Sequence, residues 1–211
     1  MAPRTEIIKS KLLLVEGADA LHFFISACEA FSVDNVQVMD FGGTKDLTKY
    51  LKALPLFPGY DKVDTIVIAR DAEKDPSTAV SNVKRSLRQV NLPVPANPFE
   101  FAGTDPRVAY VIFPGFQTDA KGKSTLSAGT LEDLCLEIVK DNTTFECVDQ
   151  YLECLRSKGR KIKRPHKTKL HSYLAGENDF VGLKIGEASR VGAWDWNHSS
   201  LKPFKDVIRE M

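Results

Sequence analysis

Three acidic residues follow directly on apolar stretches of this sequence, and their types and positions could support metal chemistry. Glu16 comes after the apolar residues 12–15, and Asp71 and Glu73 come after the largely apolar run 65–69. Carboxylates gathered at one place repel one another unless a proton or a cation lies between them, and Mg²⁺ prefers oxygen ligands. The pattern therefore predicts that these acids hold Mg²⁺ or Mn²⁺. Asp71 and Glu73 would point to one side of an extended segment, and Glu16 would bind metal or handle protons.

The elements that must position these acids alternate between strands and helices. Apolar runs of strand length cover residues 11–16, 36–41 and 63–69, and each is followed by apolar residues at helical spacing. The second helix is expected to begin at Thr44 or a neighbour and to end at Pro55. A β-α-β-α-β-α order predicts parallel strands, and such sheets bind ligands at the carboxyl ends of their strands. The predicted fold class is α/β, a parallel sheet flanked by helices.

The second half of the chain is predicted to be mainly helical. Residues 99–101 and 108–113 are interpreted as two strands, either a hairpin or a core strand beside an inserted edge strand, and residues 116–128 as a mobile loop. Further helices are expected over about 130–140, 143–156 and 167–175 and after residue 200. We accordingly expect a core domain of residues 1–140 and a helical C-terminal extension, residues 141–211, with a basic connector, packed on the core.

Each of these acids also has a purely structural interpretation. Acids at strand ends can cap the following helix or face solvent, and Asp75 before a proline can simply lead into a helix. Thr130 and Asp133 have the spacing of a capping box, and acids in a first turn are favoured by the helix dipole. Because two predicted buried strands end in acids, we favour the chemical interpretation for Glu16, Asp71 and Glu73.

These patterns resemble the Toprim domain, the catalytic core shared by primases, topoisomerases and OLD-family nucleases. In that family the first strand ends in Glu-Gly, which corresponds to Glu16 and Gly17 here. A later strand ends in Asp-x-Asp, which corresponds to Asp71-Ala72-Glu73, with glutamate in place of the second aspartate. The resemblance covers about residues 11–140 and implies a Toprim-like parallel sheet with a metal site at these acids.

Two further segments resemble particular members of that family. Residues 129–133 are similar to an acidic helix start in nuclease-type members, especially small stand-alone bacterial Toprim-like proteins of uncharacterised function, and residues 192–198 are similar to the tail of that group. The resemblance implies that Glu132 is a further metal ligand. It also implies that Lys169, a basic residue after the acidic core, stabilises charge in the transition state.

A strongly basic stretch lies between two of the predicted C-terminal helices. Residues 156–169 contain eight Lys or Arg residues and no acid, although the whole chain has 29 basic and 28 acidic residues. Positive charge segregated in this way attracts phosphates, and we predict nucleic-acid contacts here. The residues predicted to make them are Arg160, Lys161, Lys163, Arg164 and Lys167. The structural alternative is a solvated, flexible linker.

Composition and length disfavour several other classes of protein. The chain has 211 residues, 43% of them hydrophobic, and no apolar run approaches the roughly 18 residues that a membrane-spanning helix needs. With no secretory signal pattern, we expect a soluble cytoplasmic protein without membrane partners. The four cysteines lack metal-binding spacing, which disfavours zinc. At this length we expect neither the gate domains of a topoisomerase nor the polymerase core of a primase.

The function predicted from these features is a metal-dependent nuclease that cleaves phosphodiester bonds of DNA or RNA through carboxylate-bound Mg²⁺ or Mn²⁺. By analogy of fold, its partners besides nucleic acid would be a second copy of the chain or a partner ATPase. Two alternatives stay open. One is a non-catalytic module of the same fold that binds nucleic acid or a protein partner. The other is a small phosphohydrolase acting on nucleotides, which the basic stretch disfavours.

Overall fold

Four parallel strands form the centre of the molecule in a computed structural model that describes residues 6–43, 45–118 and 121–211. Thr44, the expected start of the second helix, lies outside this described part. The strands are paired in the order β2-β1-β3-β4, and all three pairings are parallel. Their bounds are β1 (Lys11–Val15), β2 (Val36–Asp40), β3 (Thr65–Asp71) and β4 (Arg107–Phe113).

Helices cover both faces of this sheet. One face carries α2 (Leu47–Ala53) and α3 (Pro76–Gln89). The other face carries α1 (Ala18–Ala30), α4 (Leu131–Ile138), α5 (Thr144–Ser157), α6 (Pro165–Gly176), α7 (Ile185–Arg190) and α8 (Lys202–Glu210). Short 3₁₀ helices cover Leu54–Leu56, Tyr60–Lys62, Asn178–Phe180 and Ser199–Leu201. The predicted α/β architecture, a parallel sheet flanked by helices, is confirmed.

Strand alternation divides the buried side chains into two hydrophobic layers. Leu12, Leu14 and Ile66 join the layer under α2 and α3, whereas Leu13 and Val15 join the layer under α1 and the later helices. The second layer runs without interruption from α1 through α4 to α8. The helices after residue 140 therefore share their core with the sheet, and the expected division of the chain at that residue stays a prediction.

Two expectations for the middle of the chain are wrong. Residues 99–101 form no strand, and Ala102 makes only an isolated antiparallel bridge to Val108. Within the segment expected to be a loop, β5 (Phe116–Thr118) and β6 (Ser124–Leu126) form an antiparallel hairpin. Most side chains of the hairpin are exposed, so its sequence lacks the alternation of apolar and polar residues that predicts a strand. No helix in the described residues is both long and apolar enough to cross a membrane.

Helix α8 contributes one of the large side chains of the second layer. Phe204 is 1% exposed, and its ring lies 5.3 Å from that of Phe113 and 5.1 Å from that of Phe99. Phe204→Ala should lower the free energy of unfolding by about 3–5 kcal/mol, because it removes buried apolar area and leaves a cavity. Urea unfolding measures this loss. Asp206→Ala, on the exposed side of α8, should change stability by less than about 0.5 kcal/mol. A small loss for both variants would show that α8 is not docked.

Candidate functional site

The acids predicted to act together lie at the point where the strand order reverses. From β1 the chain crosses by α1 to β2 at the sheet edge, and then by α2 on the opposite face back to β3 on the other side of β1. Open α/β sheets bind ligands at the carboxyl ends of strands at such a point. Glu16 directly follows β1, and Asp71 is the last residue of β3. Their backbone positions are thus those of a ligand-binding edge.

Asp71 is the centre of the acidic cluster. Its Oδ1 accepts a hydrogen bond of 2.9 Å from the backbone N–H of Leu131, at the start of α4. Burial, followed by the charges of Glu16 and Glu132, raises the pKa of Asp71 from 3.8 to about 7, although the Leu131 N–H opposes the shift. The charge of Glu73 adds to it. The other three predicted acids therefore all act electrostatically on Asp71.

The two acids at the start of α4 have different roles. Asp133 completes the expected capping box, because its Oδ2 accepts from the backbone N–H of Thr130 at 2.8 Å. Glu132 is only 6% exposed, and its Oε1 lies 2.5 Å from Nζ of Lys167. Burial alone would raise the pKa of Glu132, but hydrogen bonds from Lys167 and Thr130 hold it below its usual value. Glu132 is therefore the acid of this helix that belongs to the cluster.

Arg70 is a residue of the site that sequence reasoning missed. It is 3% exposed, and its Nε lies 3.8 Å from Oε2 of Glu16, whose side chain is 13% exposed. Strand alternation places Arg70 on the sheet face of Ile68, under α2 and α3, and Asp71 on the face of α4. A signal was present, since Arg70 is a charged residue in an otherwise apolar strand, immediately before Asp71. Buried arginines of this kind are normally paired.

Glu73 departs from the extended conformation expected for it. Its φ is +56°, its side chain is exposed, and its backbone makes a two-way bridge with Gly129, with both N–H···O bonds 2.8 Å long. The expectation that Asp71 and Glu73 point to one side of an extended segment is therefore wrong. Gly129 suits this bridge, because its φ is +141° and an added Cβ would lie 2.8 Å from Oδ2 of Asp133, the carboxylate of the capping box. The bridge ties the end of β3 to the start of α4.

The predicted basic residues occupy two separate places. Lys167 lies at the acidic cluster, whereas Nζ of Lys169 lies 2.7 Å from Asp149 and 5.1 Å from the ring centre of Phe145. The lysine next to the acids is thus Lys167 and not Lys169. The other predicted contact residues are exposed in the connection between α5 and α6 and form no ion pair with any described residue. These are Arg160, Lys161, Lys163 and Arg164.

The donors of the cluster fit Mg²⁺ or Mn²⁺ in chemical type, since all are carboxylates. Their mutual effect on the pKa of Asp71 is the repulsion that a bound cation would relieve. In geometry the fit is incomplete. Among the described residues, no three His, Cys, Asp or Glu side chains are grouped so that they could hold one ion. Two of the acids are instead turned to cations of the protein, Glu16 to Arg70 and Glu132 to Lys167.

Comparisons with known proteins give a family and a distant structural likeness. A family model described as "Protein of unknown function (DUF3226)" matches residues 10–211. No curated protein matches the chain. Two solved structures of the C-terminal region of the OLD protein of Xanthomonas campestris pv. campestris, phased with iodine and with mercury, are similar to it. Their sequence identities are 16% and 13%, each with a TM-score of 0.46, covering 97% of this chain and 96% of the other.

The raised pKa of Asp71 predicts that stability falls as pH rises. The folded protein binds this proton more tightly than the unfolded chain between pH 3.8 and about 7, so the free energy of unfolding decreases across that window and levels off above it. Asp71→Asn removes the titration. Measured by urea unfolding with a chelator, its stability relative to wild type should therefore grow from pH 5 to pH 8 by at most about 3 kcal/mol, since only the two units between pH 5 and the folded pKa of about 7 fall in that range.

Asp75→Asn is the matched control for this measurement. Hydrogen bonds from Thr78 and Ser77 lower the pKa of Asp75, so that carboxylate is ionised throughout the range from about pH 5 to pH 8. Its difference from wild type should be constant with pH. Parallel stability curves for wild type and Asp71→Asn would contradict the raised pKa of Asp71.

Proposed function

The chain belongs to this DUF3226 family of proteins of unknown function, and we propose that it is a metal-dependent nuclease of Toprim type that cleaves phosphodiester bonds in DNA or RNA. One observation carries the proposal. Asp71 lies at the carboxyl edge of a parallel sheet, where burial and the charges of Glu16, Glu132 and Glu73 raise its pKa to about 7. A site that concentrates this much negative charge at a ligand-binding edge is suited to a divalent cation.

The proposed roles follow from the positions of the side chains. Asp71, Glu16 and Glu132 would hold Mg²⁺ or Mn²⁺, and the exposed Glu73 would lie at the rim of the site. The bound ion would supply positive charge to the phosphoryl oxygens during displacement. Lys167 is next to Glu132, so we assign to it the charge-stabilising role that the sequence resemblance gave to Lys169.

The exposed connection between α5 and α6 supports nucleic acid as the substrate. It leads directly into α6, the helix that carries Lys167. Because Lys167 contacts Glu132, the basic side chains of the connection lie close in sequence to the lysine at the acidic site. Cations in such a position would bind the phosphates on either side of the scissile bond. A mononucleotide needs few of these contacts, which favours a polymer over a nucleotide phosphohydrolase.

The non-catalytic module is the second candidate, and one observation favours it. Arg70 and Lys167 already neutralise Glu16 and Glu132, and no three acids among the described residues converge on one point. In that case the acids would serve the fold, and nucleic acid or a protein partner would bind without being cut. The two candidates differ in a single measurable property, which is metal-dependent cleavage.

Asp71→Asn should weaken metal binding strongly and abolish cleavage while the fold is retained. At about pH 8, where Asp71 is ionised, titration calorimetry should show saturable Mn²⁺ binding to the wild type and at least about a tenfold loss of affinity in the variant. Cleavage of labelled DNA and RNA with Mg²⁺ or Mn²⁺ should be lost as well. Asp75→Asn should bind and cleave as the wild type does, since asparagine caps α3 equally well.

The candidates separate clearly in this experiment. Absence of both metal binding and cleavage in the wild type, with nucleic-acid binding intact, would reject the nuclease in favour of the non-catalytic module. Cleavage that persists in Asp71→Asn would show that a different site does the chemistry.

Removing positive charge from the α5–α6 connection should weaken nucleic-acid binding through its salt dependence. A variant with serine at the four exposed basic positions should lower the slope of log K against log salt concentration by about 3, because each phosphate contact on a single strand contributes about 0.7. Fluorescence anisotropy with Asp71→Asn as the background measures binding without cleavage. The substituted residues are Arg160, Lys161, Lys163 and Arg164.

A variant with four exposed lysines replaced on the α2 side of the molecule is the matched control. It removes the same charge from the opposite face of the sheet and should leave the slope nearly unchanged. The lysines are Lys45, Lys49, Lys52 and Lys62. Equal losses in both variants would mean that binding depends on net charge alone and would reject a dedicated phosphate path at the connection.

A further inference from the structure

A cavity of about 860 Å³ lies between one face of α4 and the β5–β6 hairpin. Its wall includes Asp133, the residue after Glu132, and the base of the β5–β6 hairpin at Phe116 and Ser127. The backbone joins this hairpin to the acidic edge. Ala72 N–H donates to the carbonyl of Phe113 at 2.9 Å, at the end of β4, and the hairpin begins three residues later. The cavity wall and the acidic edge are thus consecutive along the backbone, although none of the four acids lines the cavity.

One aromatic ring that lines this cavity, that of Phe116, is supported by other aromatic rings. Phe116 is 44% exposed, yet it is the end of a series of four rings that begins in the core. Phe113 stacks on Phe204 at 5.3 Å, Phe204 meets Phe99 at 5.1 Å, and Phe99 meets Phe116 at 5.1 Å. An exposed ring held in this way loses little conformational freedom when a ligand stacks on it.

The backbone is strained at the ring that holds Phe116. Phe99 has a φ of +67°, a left-handed conformation that is rare for a large side chain. The surrounding structure fixes it there, since its N–H donates to the carbonyl of Tyr110 at 2.8 Å and its ring is bounded by two others. Strain of this type is found where a site requires a particular geometry. Here its result is an aromatic platform at the cavity.

The charges of the cavity decide which part of a nucleic acid it would accept. Three acids and two lysines line it, and each lysine is already paired, Lys140 with Glu137 at 2.7 Å and Lys169 with Asp149 at 2.7 Å. A phosphate would meet excess negative charge. A neutral, flat group with polar edges would instead find an aromatic face together with the amide of Gln117 and further hydroxyl groups.

We propose that this cavity receives an unpaired nucleobase, stacked on Phe116, from the strand whose phosphate lies at the acidic edge. The inference rests on the proposed function and names its substrate class, which is single-stranded nucleic acid. In a duplex both faces of each base are covered by neighbours, so a paired base cannot stack on a protein ring without leaving the helix. Stacking is tolerant of sequence, because every base presents a flat face.

Binding of a labelled single strand of about ten nucleotides without internal pairing, in the presence of a chelator, tests the proposal by anisotropy. Phe116→Ala should weaken binding by about 5- to 100-fold, whereas Phe116→Trp should restore it. Leu56→Ala, which truncates an apolar side chain that is 82% exposed on the opposite side of the sheet, should bind as the wild type does. A duplex of the same sequence should bind more weakly and respond little to Phe116→Ala.

A second measurement needs no protein variant. Abasic nucleotides in the same strand keep every phosphate but remove the bases, and they should reduce wild-type binding by a similar factor. Equal affinity for the abasic and the intact strand, or for wild type and Phe116→Ala, would overturn the proposal. Because no metal is present, these results are independent of cleavage: base-dependent binding without cleavage would reject only the nuclease, and cleavage without base dependence would reject only the base cavity.

Discussion

Repulsion among carboxylates is the constraint on which this site depends. Asp71 is held in place by the N–H of Leu131 and lies near three other acids, so its charge is disfavoured both by burial and by its neighbours. The protein limits the repulsion with its own cations, Arg70 on one sheet face and Lys167 on the other. Removing Arg70 from its buried pair with Glu16 would be costly, because it would leave a buried carboxylate without its cation.

The balance has a direct bearing on metal chemistry. An incoming cation would not enter a free set of acids but would replace positive charge that the chain already supplies. The affinity for the cation would therefore reflect the difference between its attraction to the acids and the attraction of Arg70 and Lys167 to the same acids. It would also depend on how readily the half-exposed Lys167 moves away from Glu132. Arg70, which is almost fully buried beside Glu16, has less freedom to move.

The sheet and the acidic edge could be predicted from sequence because they depend on local signals. Apolar runs that end in Glu16 and Asp71 indicate buried parallel strands, and parallel strands bring their carboxyl ends together. Features set by distant contacts could not be predicted. Lys167 and Lys169 point to nearly opposite sides of α6, since residues two positions apart in an α-helix are separated by about 200° around the helix axis. Only the packing of α6 decides which side meets α4. The turn at Glu73 likewise depends on its bridge to Gly129, which is far away in sequence.

The ring series from Phe113 to Phe116 also has a consequence for the order in which the protein is made. Phe204, in α8, is the ring on which Phe99 rests, although the acids and Lys167 all come earlier in the chain. A nascent chain that has emerged as far as α6 carries every charged residue of the site but lacks this support. The charged residues and the aromatic platform are therefore completed at different stages of synthesis, and the platform is finished only after the last helix has docked.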